Sequence, residues 1–323
     1  MSLAVPKAEL HAHLEGTATP DLVERIAERN GVRVPPGTIG EDGRFAWEDF
    51  LDFLRCYDAA TSVIRTGEDY RDIVFEYLVR CAHEGAIYVE LTASAHHAEL
   101  VGVSDVDHLA GIAQGIDDAR EQTGIEARVV MSCVRQFGPE TAVDVARRTV
   151  SEPHPYVTGF GMGGDEAGYP AELFSAAFDI AAQAGLGLTV HAGEWAGPES
   201  VRSGLALGVT RIGHGVRAVE DPELVRELAD RGIVLEVCPT SNVALGLYPA
   251  IEAHPLPVLR AAGVPITLGS DDPPYWNSSI GGEYALAAGA FALDDGALRQ
   301  ITRTALNAAF VEEDVRQRLL ALV

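Results

Sequence analysis

The amino-acid sequence predicts an α/β fold, a TIM (β/α)8 barrel with a helical insertion after strand 1 and packing helices at the C-terminal end. Two observations support this prediction. Eight short apolar segments alternate with helical segments, and near-continuous runs of Val, Ile and Leu are typical of parallel strands buried on both faces. A glycine, which suits the end of a helix, stands just before six of the strands. We predict the strands at 5–14, 86–91, 125–133, 156–162, 186–191, 209–213, 233–238 and 264–269.

The first strand is followed by an unusually long connection. Residues from about 19 to 84 separate it from the second strand, more than a crossover needs, and they contain three helical segments. Thr19 and Pro20 suit the start of the first helix, an amphipathic stretch at 46–57 predicts the second, and Thr66 caps the third. We expect this insertion to form a lid.

The strand and helix alternation continues to the end of the chain. The remaining helices are predicted at 104–122, 139–150, 170–184, 198–207, 222–231, 255–262, 294–310 and 311–322. With 323 residues, 47% of them apolar, the sequence can build a large core, and we expect one barrel domain over 1–323. An open doubly wound sheet is the alternative, but no Gly-x-Gly-x-x-Gly motif follows the first strand.

Composition narrows the partners. The formal net charge of −24 repels phosphate backbones and anionic lipids, so we expect a small-molecule partner and neither nucleic acid nor membrane. The four cysteines form no Cys-x-x-Cys pair and are expected to be buried thiols. No signal-peptide pattern or membrane-spanning run is seen, which predicts a cytoplasmic enzyme. The sequence carries no signal for its oligomeric state.

Two histidines stand near the end of the first predicted strand. His11 and His13 are two residues apart, so on a strand their side chains point to the same face. Paired imidazoles suit a transition metal, whereas an isolated His-x-His also occurs in packing or solvent-facing positions. The motif therefore needs partners elsewhere in the chain before it predicts a metal site.

Such partners stand at the ends of other predicted strands. His191 ends strand five and Asp271 follows strand eight. The carboxyl ends of the strands of a barrel meet at one rim, where the active sites of this fold lie. Three imidazoles and one carboxylate match a Zn²⁺ or Fe²⁺ site that keeps one position open for water. We therefore predict a metal site made by His11, His13, His191 and Asp271.

Three further side chains at this rim are candidates for chemistry. Glu194 stands three residues after His191, and a partly desolvated carboxyl group beside a metal can act as general acid and base. His214 follows strand six and can orient or deprotonate the water. Asp272 is a candidate for holding substrate, with a helix N-cap as the alternative. The other histidines are expected in surface or packing roles, the two after strand two lying nearest the pocket: His83, His96, His97, His108, His154 and His254.

The motifs at these strand ends resemble the adenosine deaminase family of the metal-dependent amidohydrolase barrels. The resemblance covers nearly the whole chain, and the motifs are specific when taken together. They are His11-Ala-His-Leu-Glu-Gly16, Gly163-Gly-Asp-Glu166, His191-Ala-Gly-Glu194, His214-Gly, Cys238-Pro-Thr-Ser-Asn242 and Ser270-Asp-Asp-Pro273.

The resemblance implies roles for several residues of the motifs. It implies one zinc per chain, with Fe²⁺ as the alternative, held by the four residues of the predicted metal site. Glu194 is then the proton donor to purine N1, and His214 activates the water. Asp272 contacts purine N7, and the backbone amide of Gly164 contacts N3.

The implied reaction is the zinc-dependent hydrolytic deamination of a 6-aminopurine, with adenosine, converted to inosine and ammonia, as the expected substrate. Adenine or a modified adenosine such as aminodeoxyfutalosine is the alternative, because Glu15 stands where adenosine deaminases carry an Asp that meets the ribose. Glu15 is therefore a candidate substrate-binding residue. Gly161 also departs from the family pattern, which commonly has Asp there.

Two readings from other classes remain. Related barrel hydrolases use a carboxylated lysine to bridge two metals, but no lysine follows Lys7, which excludes that version. A non-catalytic purine-binding protein on the same scaffold would be expected to lack a metal ligand or the glutamate, and neither is missing here.

Overall fold

The computed structural model describes residues 5–323, and in them eight parallel strands follow one another in chain order around a barrel. The predicted barrel and its number of strands are confirmed. The strands are β1 (Lys7–His13), β2 (Ala86–Ala93), β3 (Glu126–Val134), β4 (Val157–Gly163), β5 (Gly187–Ala192), β6 (Arg211–His214), β7 (Val234–Val237) and β8 (Ile266–Leu268).

The barrel closes between β1 and the residues that follow β8. Ala12 pairs with Asp271 in a parallel bridge. The amide of Asp271 donates to the carbonyl of His11, and the amide of His13 donates to the carbonyl of Asp271, each at 3.0 Å. The hydrogen bonds that close the barrel therefore also bring three of the predicted metal ligands side by side.

Three helices lie between β1 and β2, as the sequence predicts. They are α1 (Pro20–Arg29), α2 (Phe50–Thr61) and α3 (Gly67–His83). The side chains of Thr19 and Thr66 cap α1 and α3 as expected. Helix α2 begins later than the predicted 46–57, because the side chain of Asp49 accepts a hydrogen bond from the backbone of the first turn and sets the start there.

Twelve helices follow β2, and eight of them lie at predicted positions in the alternation. They are α4 (Ala95–Leu100), α5 (Asp105–Thr123), α6 (Gly138–Ser151), α7 (Ser175–Gln183), α8 (Pro198–Ala206), α9 (Pro222–Arg231), α10 (Pro239–Ala244), α11 (Leu256–Ala261), α12 (Pro273–Trp276), α13 (Ile280–Ala290), α14 (Asp295–Ala308) and α15 (Glu313–Leu320). No helix bounds were predicted for α4, α10, α12 and α13. The first three have only four to six residues, which is too short for a helical hydrophobic period to show. Helix α13 has Gly, Ala or another apolar residue at almost every position, so no apolar stripe marks it.

The six glycines before strands adopt the backbone conformation expected of helix ends. Their φ angles lie between 65° and 89°, in the left-handed region where a Cβ would be strained. They are Gly85, Gly124, Gly185, Gly208, Gly232 and Gly263.

Phe310, just after α14, fills the end of the barrel opposite the rim. A Cβ on Gly187, the first residue of β5, would lie 2.1 Å from the Phe310 ring, and one on Gly159 in β4 would lie 2.7 Å from it. The guanidinium of Arg211, the first residue of β6, stacks on the other side, 3.6 Å from the ring centroid. The C-terminal segment is thus part of the barrel core.

The four cysteines are buried and unpaired, as expected from their spacing. Within residues 5–323, no helix is long and apolar enough to cross a membrane.

One histidine is buried without a hydrogen-bond partner for either ring nitrogen. His108, in α5, is fully buried and packs edge-on against Tyr70 of α3, with ring centroids 4.4 Å apart. Burial lowers the pKa of His108 to about 3. The folded protein therefore keeps this ring neutral at pH values where an unfolded chain protonates it.

We predict that His108 makes the protein sensitive to mild acid. The pKa of a histidine in the unfolded chain is about 6.5. Below this pH the unfolded chain binds a proton at His108 that the folded chain does not bind, so the free energy of unfolding falls as pH drops from about 6.5 toward 3. By this linkage His108 accounts for about 2 kcal/mol of the loss in unfolding free energy between pH 7 and pH 5. Urea unfolding at both pH values should show a smaller loss in His108→Leu than in the wild type. The exposed His83→Leu should keep the wild-type loss, and equal losses in all three proteins would contradict the prediction.

Candidate active site

Four donor groups from three parts of the barrel converge at the rim. His13 Nε2 lies 3.1 Å from His191 Nε2 and 3.2 Å from Asp271 Oδ1. His11 Nε2 lies 3.4 Å from the same Asp271 oxygen and is buried with no hydrogen-bond partner. Ligands bound at about 2.1 Å in a tetrahedral site are roughly 3.4 Å apart, so these residues fit a divalent metal ion. The structure thus brings the four predicted ligands together.

Two of the three imidazoles, His11 and His191, are oriented by a hydrogen bond from their other ring nitrogen. His11 Nδ1 donates to Glu236 Oε2 at 3.0 Å, and His191 Nδ1 donates to the carbonyl of Met162 at 3.0 Å. Such contacts leave Nε2 free to bind and fix the ring direction. Sequence reasoning missed Glu236; the available signal was a lone carboxylate inside the apolar strand β7.

The second oxygen of Asp271 is also held. Ser241 donates its hydroxyl to Asp271 Oδ2 at 2.6 Å, which leaves Oδ1 toward the imidazoles. Asp271 and His214 both have left-handed backbones, with φ of 64° and 60°. Such conformations are strained for residues other than glycine and persist where the surroundings hold them. Here the closing bonds of the barrel hold Asp271.

The Glu236 carboxylate is buried yet ionised. Burial would raise its pKa, but the Arg211 guanidinium and the hydrogen bond from His11 outweigh burial and hold the pKa of Glu236 below its ordinary value. The Arg211 Nε atom lies 2.7 Å from Glu236 Oε1. Glu236 is therefore a permanent acceptor for the proton of His11 Nδ1.

Glu194 lies where the sequence placed it, beside the metal-site residues. It is 6% exposed and lines the cleft. Burial and then the negative charges of Asp271 and Glu166 raise the pKa of Glu194 well above its usual value. A carboxyl group whose pKa is raised in this way holds its proton to higher pH and can deliver it as a general acid.

Glu166 organises the loop that carries Glu194. It belongs to the motif after strand four, but the sequence predicted no role for it. One carboxylate accepts hydrogen bonds from four consecutive amides and a serine hydroxyl: those of Gly193, Glu194, Trp195, Ala196 and Ser200. These bonds set the position of the Glu194 backbone. Glu166 thus acts on the cleft without lining it.

His214 lies beside Glu194, and its Nε2 atom is 3.6 Å from Glu194 Oε1. It is 1% exposed. Burial lowers the pKa of His214 to about 3, so the ring is neutral at neutral pH. The sequence predicted a position near the metal ligands, and its ring centroid is 4.8 Å from that of His11.

Asp272 points into the cleft. It occupies the N-cap position of α12, but its side chain makes no capping hydrogen bond, so the N-cap alternative is wrong. Its Oδ1 is buried without a partner, and it lies where a Cβ on Gly16 would be only 1.7 Å away. Burial and the neighbouring Asp271 charge raise the pKa of Asp272 well above its usual value. The cleft therefore contains an unsatisfied oxygen ready for a ligand.

Glu15 and His97 form a polar wall at the cleft. The buried Glu15 carboxylate accepts from the Tyr57 hydroxyl at 3.2 Å and from the Ser94 amide at 3.1 Å. His97 bonds to the Ser94 hydroxyl through Nδ1, at 2.8 Å, and to Asp58 Oδ1 through Nε2, at 3.1 Å. The expected surface or packing role of His97 is wrong, because α4, which the sequence did not reveal, turns it into the cleft.

The helical insertion supplies much of the remaining cleft surface, mainly through α2: Phe50, Phe53, Leu54, Tyr57 and Asp58. Gly164 also lines the cleft, with φ of 96°. Gly161 does not. A Cβ there would lie 3.1 Å from Val130 and 3.3 Å from Thr189, so this departure from the family pattern goes with a tightly packed neighbourhood.

Comparisons with known proteins agree with this geometry. A family model described as adenosine deaminase matches residues 6–323. The adenine deaminase of Chelativorans sp. (strain BNC1) is 50% identical over 317 residues, covering 98% of this chain and 97% of that protein. The crystal structure of adenine deaminase from Arthrobacter aurescens has a TM-score of 0.92 and 29% identity, covering 98% of each chain. An amidohydrolase from Burkholderia ambifaria, solved with bound Zn, has a TM-score of 0.90 and 29% identity, covering 99% of this chain and 90% of that one.

We predict that the purified protein carries about one divalent metal ion per chain and that His13→Ala loses it. The substitution removes one of four ligands and opens the site to water. Metal content by elemental analysis after gel filtration measures this. His83→Ala, which removes an exposed histidine, is the control and should keep the wild-type content. Full metal content in His13→Ala would remove His13 from the ligand set.

Proposed function

This chain belongs to the adenosine deaminase family and is a hydrolytic deaminase of a purine amine, and we propose that its substrate is the free base adenine. The reaction is adenine and water to hypoxanthine and ammonia: a C–O bond forms at C6 and the C6–N bond breaks. Names of relatives that are 45% to 50% identical over almost the whole chain support adenine rather than the adenosine expected from the sequence.

The polar wall of the cleft carries this proposal. Adenine has a hydrogen at N9 where adenosine has a ribose, so a free-base enzyme needs no room for a sugar. Glu15 is one methylene longer than the Asp that meets ribose in the resembling adenosine deaminases. Its carboxylate accepts hydrogen bonds from Tyr57 and Ser94. His97 is hydrogen-bonded in turn to Ser94 and Asp58. We infer that this wall takes the space of the sugar.

We assign the metal to His11, His13, His191 and Asp271, with Zn²⁺ as the ion. Zn²⁺ bound there would supply Lewis-acid activation of a water molecule for attack on C6. The Zn-bound amidohydrolase of the same fold supports this assignment. The roles of the neighbouring side chains follow from their own protonation and position.

Three groups act on the purine ring in this proposal. Glu194, protonated because it is buried among negative charges, donates its proton to N1 as C6 is attacked. Asp272 is protonated for the same reason and donates to N7 through its free carboxyl group. The amide of Gly164 contacts N3. These donors stabilise the ring when its aromaticity is broken.

We predict that Glu194→Gln keeps the metal and loses turnover. The amide fills the same space but cannot deliver a proton, so kcat for ammonia release should fall by about 10²- to 10⁴-fold. Ammonia release and metal content are measured on the same sample. The exposed Glu199→Gln is the matched control. Unchanged turnover in Glu194→Gln would reject its role as the acid.

Substrate choice is tested with a panel of adenine, adenosine, deoxyadenosine, AMP, N6-substituted adenines and aminodeoxyfutalosine. We expect adenine to be preferred over adenosine in kcat/KM. Shortening the wall in Glu15→Asp should shift that ratio toward adenosine by about tenfold or more. Glu15→Gln, which keeps the length of the side chain, is the control and should shift it less. A wild-type preference for adenosine would reject adenine as the substrate.

A further inference from the structure

The motif that ends in Asn242 contains a residue that the proposed mechanism does not use. Asn242, in α10, is fully buried and lies between two imidazoles. Its Nδ2 atom is 3.2 Å from Nδ1 of His214, and its Oδ1 atom is 3.2 Å from Nε2 of His254. The backbone amide of Leu256 completes the series, 3.2 Å from Nδ1 of His254. These four groups form one chain of hydrogen bonds that ends at His214.

The direction of this chain is set at its far end. The amide of Leu256 can only donate, so Nδ1 of His254 accepts, and the proton of that neutral ring is on Nε2. The Nε2–H group then donates to Oδ1 of Asn242, which leaves the amide nitrogen facing His214. Because an amide nitrogen also only donates, Nδ1 of His214 must accept.

We propose that Asn242 and His254 are positioning residues that hold His214 with its proton on Nε2, so that His214 serves the reaction as a hydrogen-bond donor. A proton on Nδ1 of His214, in either the other tautomer or the doubly protonated ring, would face the N–H of Asn242. His214, Asn242 and His254 are each 3% exposed or less, so water is not at hand to relieve that contact.

The consequence for catalysis concerns the nitrogen that faces the cleft. The Nε2 atom of His214, 3.6 Å from Glu194 Oε1, carries a hydrogen and has no lone pair to take a proton from water. His214 can therefore donate a hydrogen bond to the oxygen that adds to C6, but it cannot be the base that takes a proton from the water. This role rests on the proposed function, but the tautomer does not.

His254 has the packing role expected of it, since it is buried against Tyr248 and Phe291, and its hydrogen bond to Asn242 adds the proposed positioning role. Its partner Asn242 is twelve positions away in sequence and in another element, and no sequence pattern reveals that contact.

The tautomer is tested directly by NMR on the metal-loaded protein with ¹⁵N-labelled histidine. Long-range ¹H–¹⁵N spectra report which ring nitrogen carries the proton, and the signals that disappear in His214→Gln assign His214. We expect a bare Nδ1 and a protonated Nε2 near neutral pH. A protonated Nδ1 on His214 in the wild type would overturn the inference. The measurement is made on the wild-type protein, and a variant is needed only to assign the signals. Should His214→Gln fail to fold, the signals that disappear in His214→Asn provide the assignment.

Two variants test whether Asn242 and His254 cause the tautomer. In Asn242→Asp the carboxylate only accepts, so His214 should move its proton to Nδ1, and kcat should fall by about 10²-fold with little change in KM. In His254→Leu the amide of Asn242 is free to turn over, and His214 should lose its single tautomer. His108→Leu, which removes another buried histidine, is the matched control and should leave the signals of His214 unchanged.

The outcomes separate the inference from the proposed function. An unchanged His214 pattern in Asn242→Asp, or a fall in kcat while the pattern stays, would overturn the positioning role. A protein that holds His214 as the Nε2–H tautomer but does not deaminate adenine would overturn the proposed substrate and the catalytic role while supporting the positioning role.

Discussion

The closing contact of the barrel is the constraint on which the site depends. Two backbone hydrogen bonds tie Asp271 between His11 and His13, and they force Asp271 into a left-handed backbone. That strain persists because both hydrogen bonds, and the bridge between Ala12 and Asp271, hold the backbone there. Three donor groups are thereby assembled by the fold itself, and only His191, from β5, has to reach them across the barrel. The contacts that close the barrel therefore also bring three of the four proposed metal ligands together.

A buried series of charges extends this constraint through the barrel. Glu236 holds His11 from below, and Arg211 lies between Glu236 and Glu90, 2.7 Å and 2.6 Å from their carboxylate oxygens. Phe310 covers Arg211 at the far end. Buried charges of this kind are costly unless each is paired and hydrogen-bonded, and their common use is to specify one arrangement. Here these charges fix the direction of the His11 ring from the opposite end of the barrel.

Reaction and selectivity are divided between different parts of the chain. In the proposed function the strand ends supply the groups that act on C6 and N1, and the structure bonds these groups into the sheet or to buried partners. The cleft wall beside Glu15 comes from the insertion helix α2 and the short helix α4 instead. Loops and insertions outside a barrel can vary without disturbing its closure. A change of purine can thus occur on an unchanged metal site.

The sequence by itself determined the barrel, its eight strands, the convergence of the four proposed metal ligands and the position of Glu194. These depend on local patterns: strand periodicity, glycines at helix ends and motifs at strand ends. Only the tertiary structure decided which buried partners orient those residues. Glu236 and His11 are 225 residues apart, and Glu166 reaches the Glu194 loop from another strand. His97 and His254 were expected in surface or packing roles, because the sequence showed neither the short helix α4 that turns His97 into the cleft nor the contact between His254 and Asn242. The physical reason is that a hydrogen bond between two side chains depends on how their helices and strands pack in three dimensions. A hydrophobic period or a sequence motif carries information only about the single helix, strand or loop in which it lies.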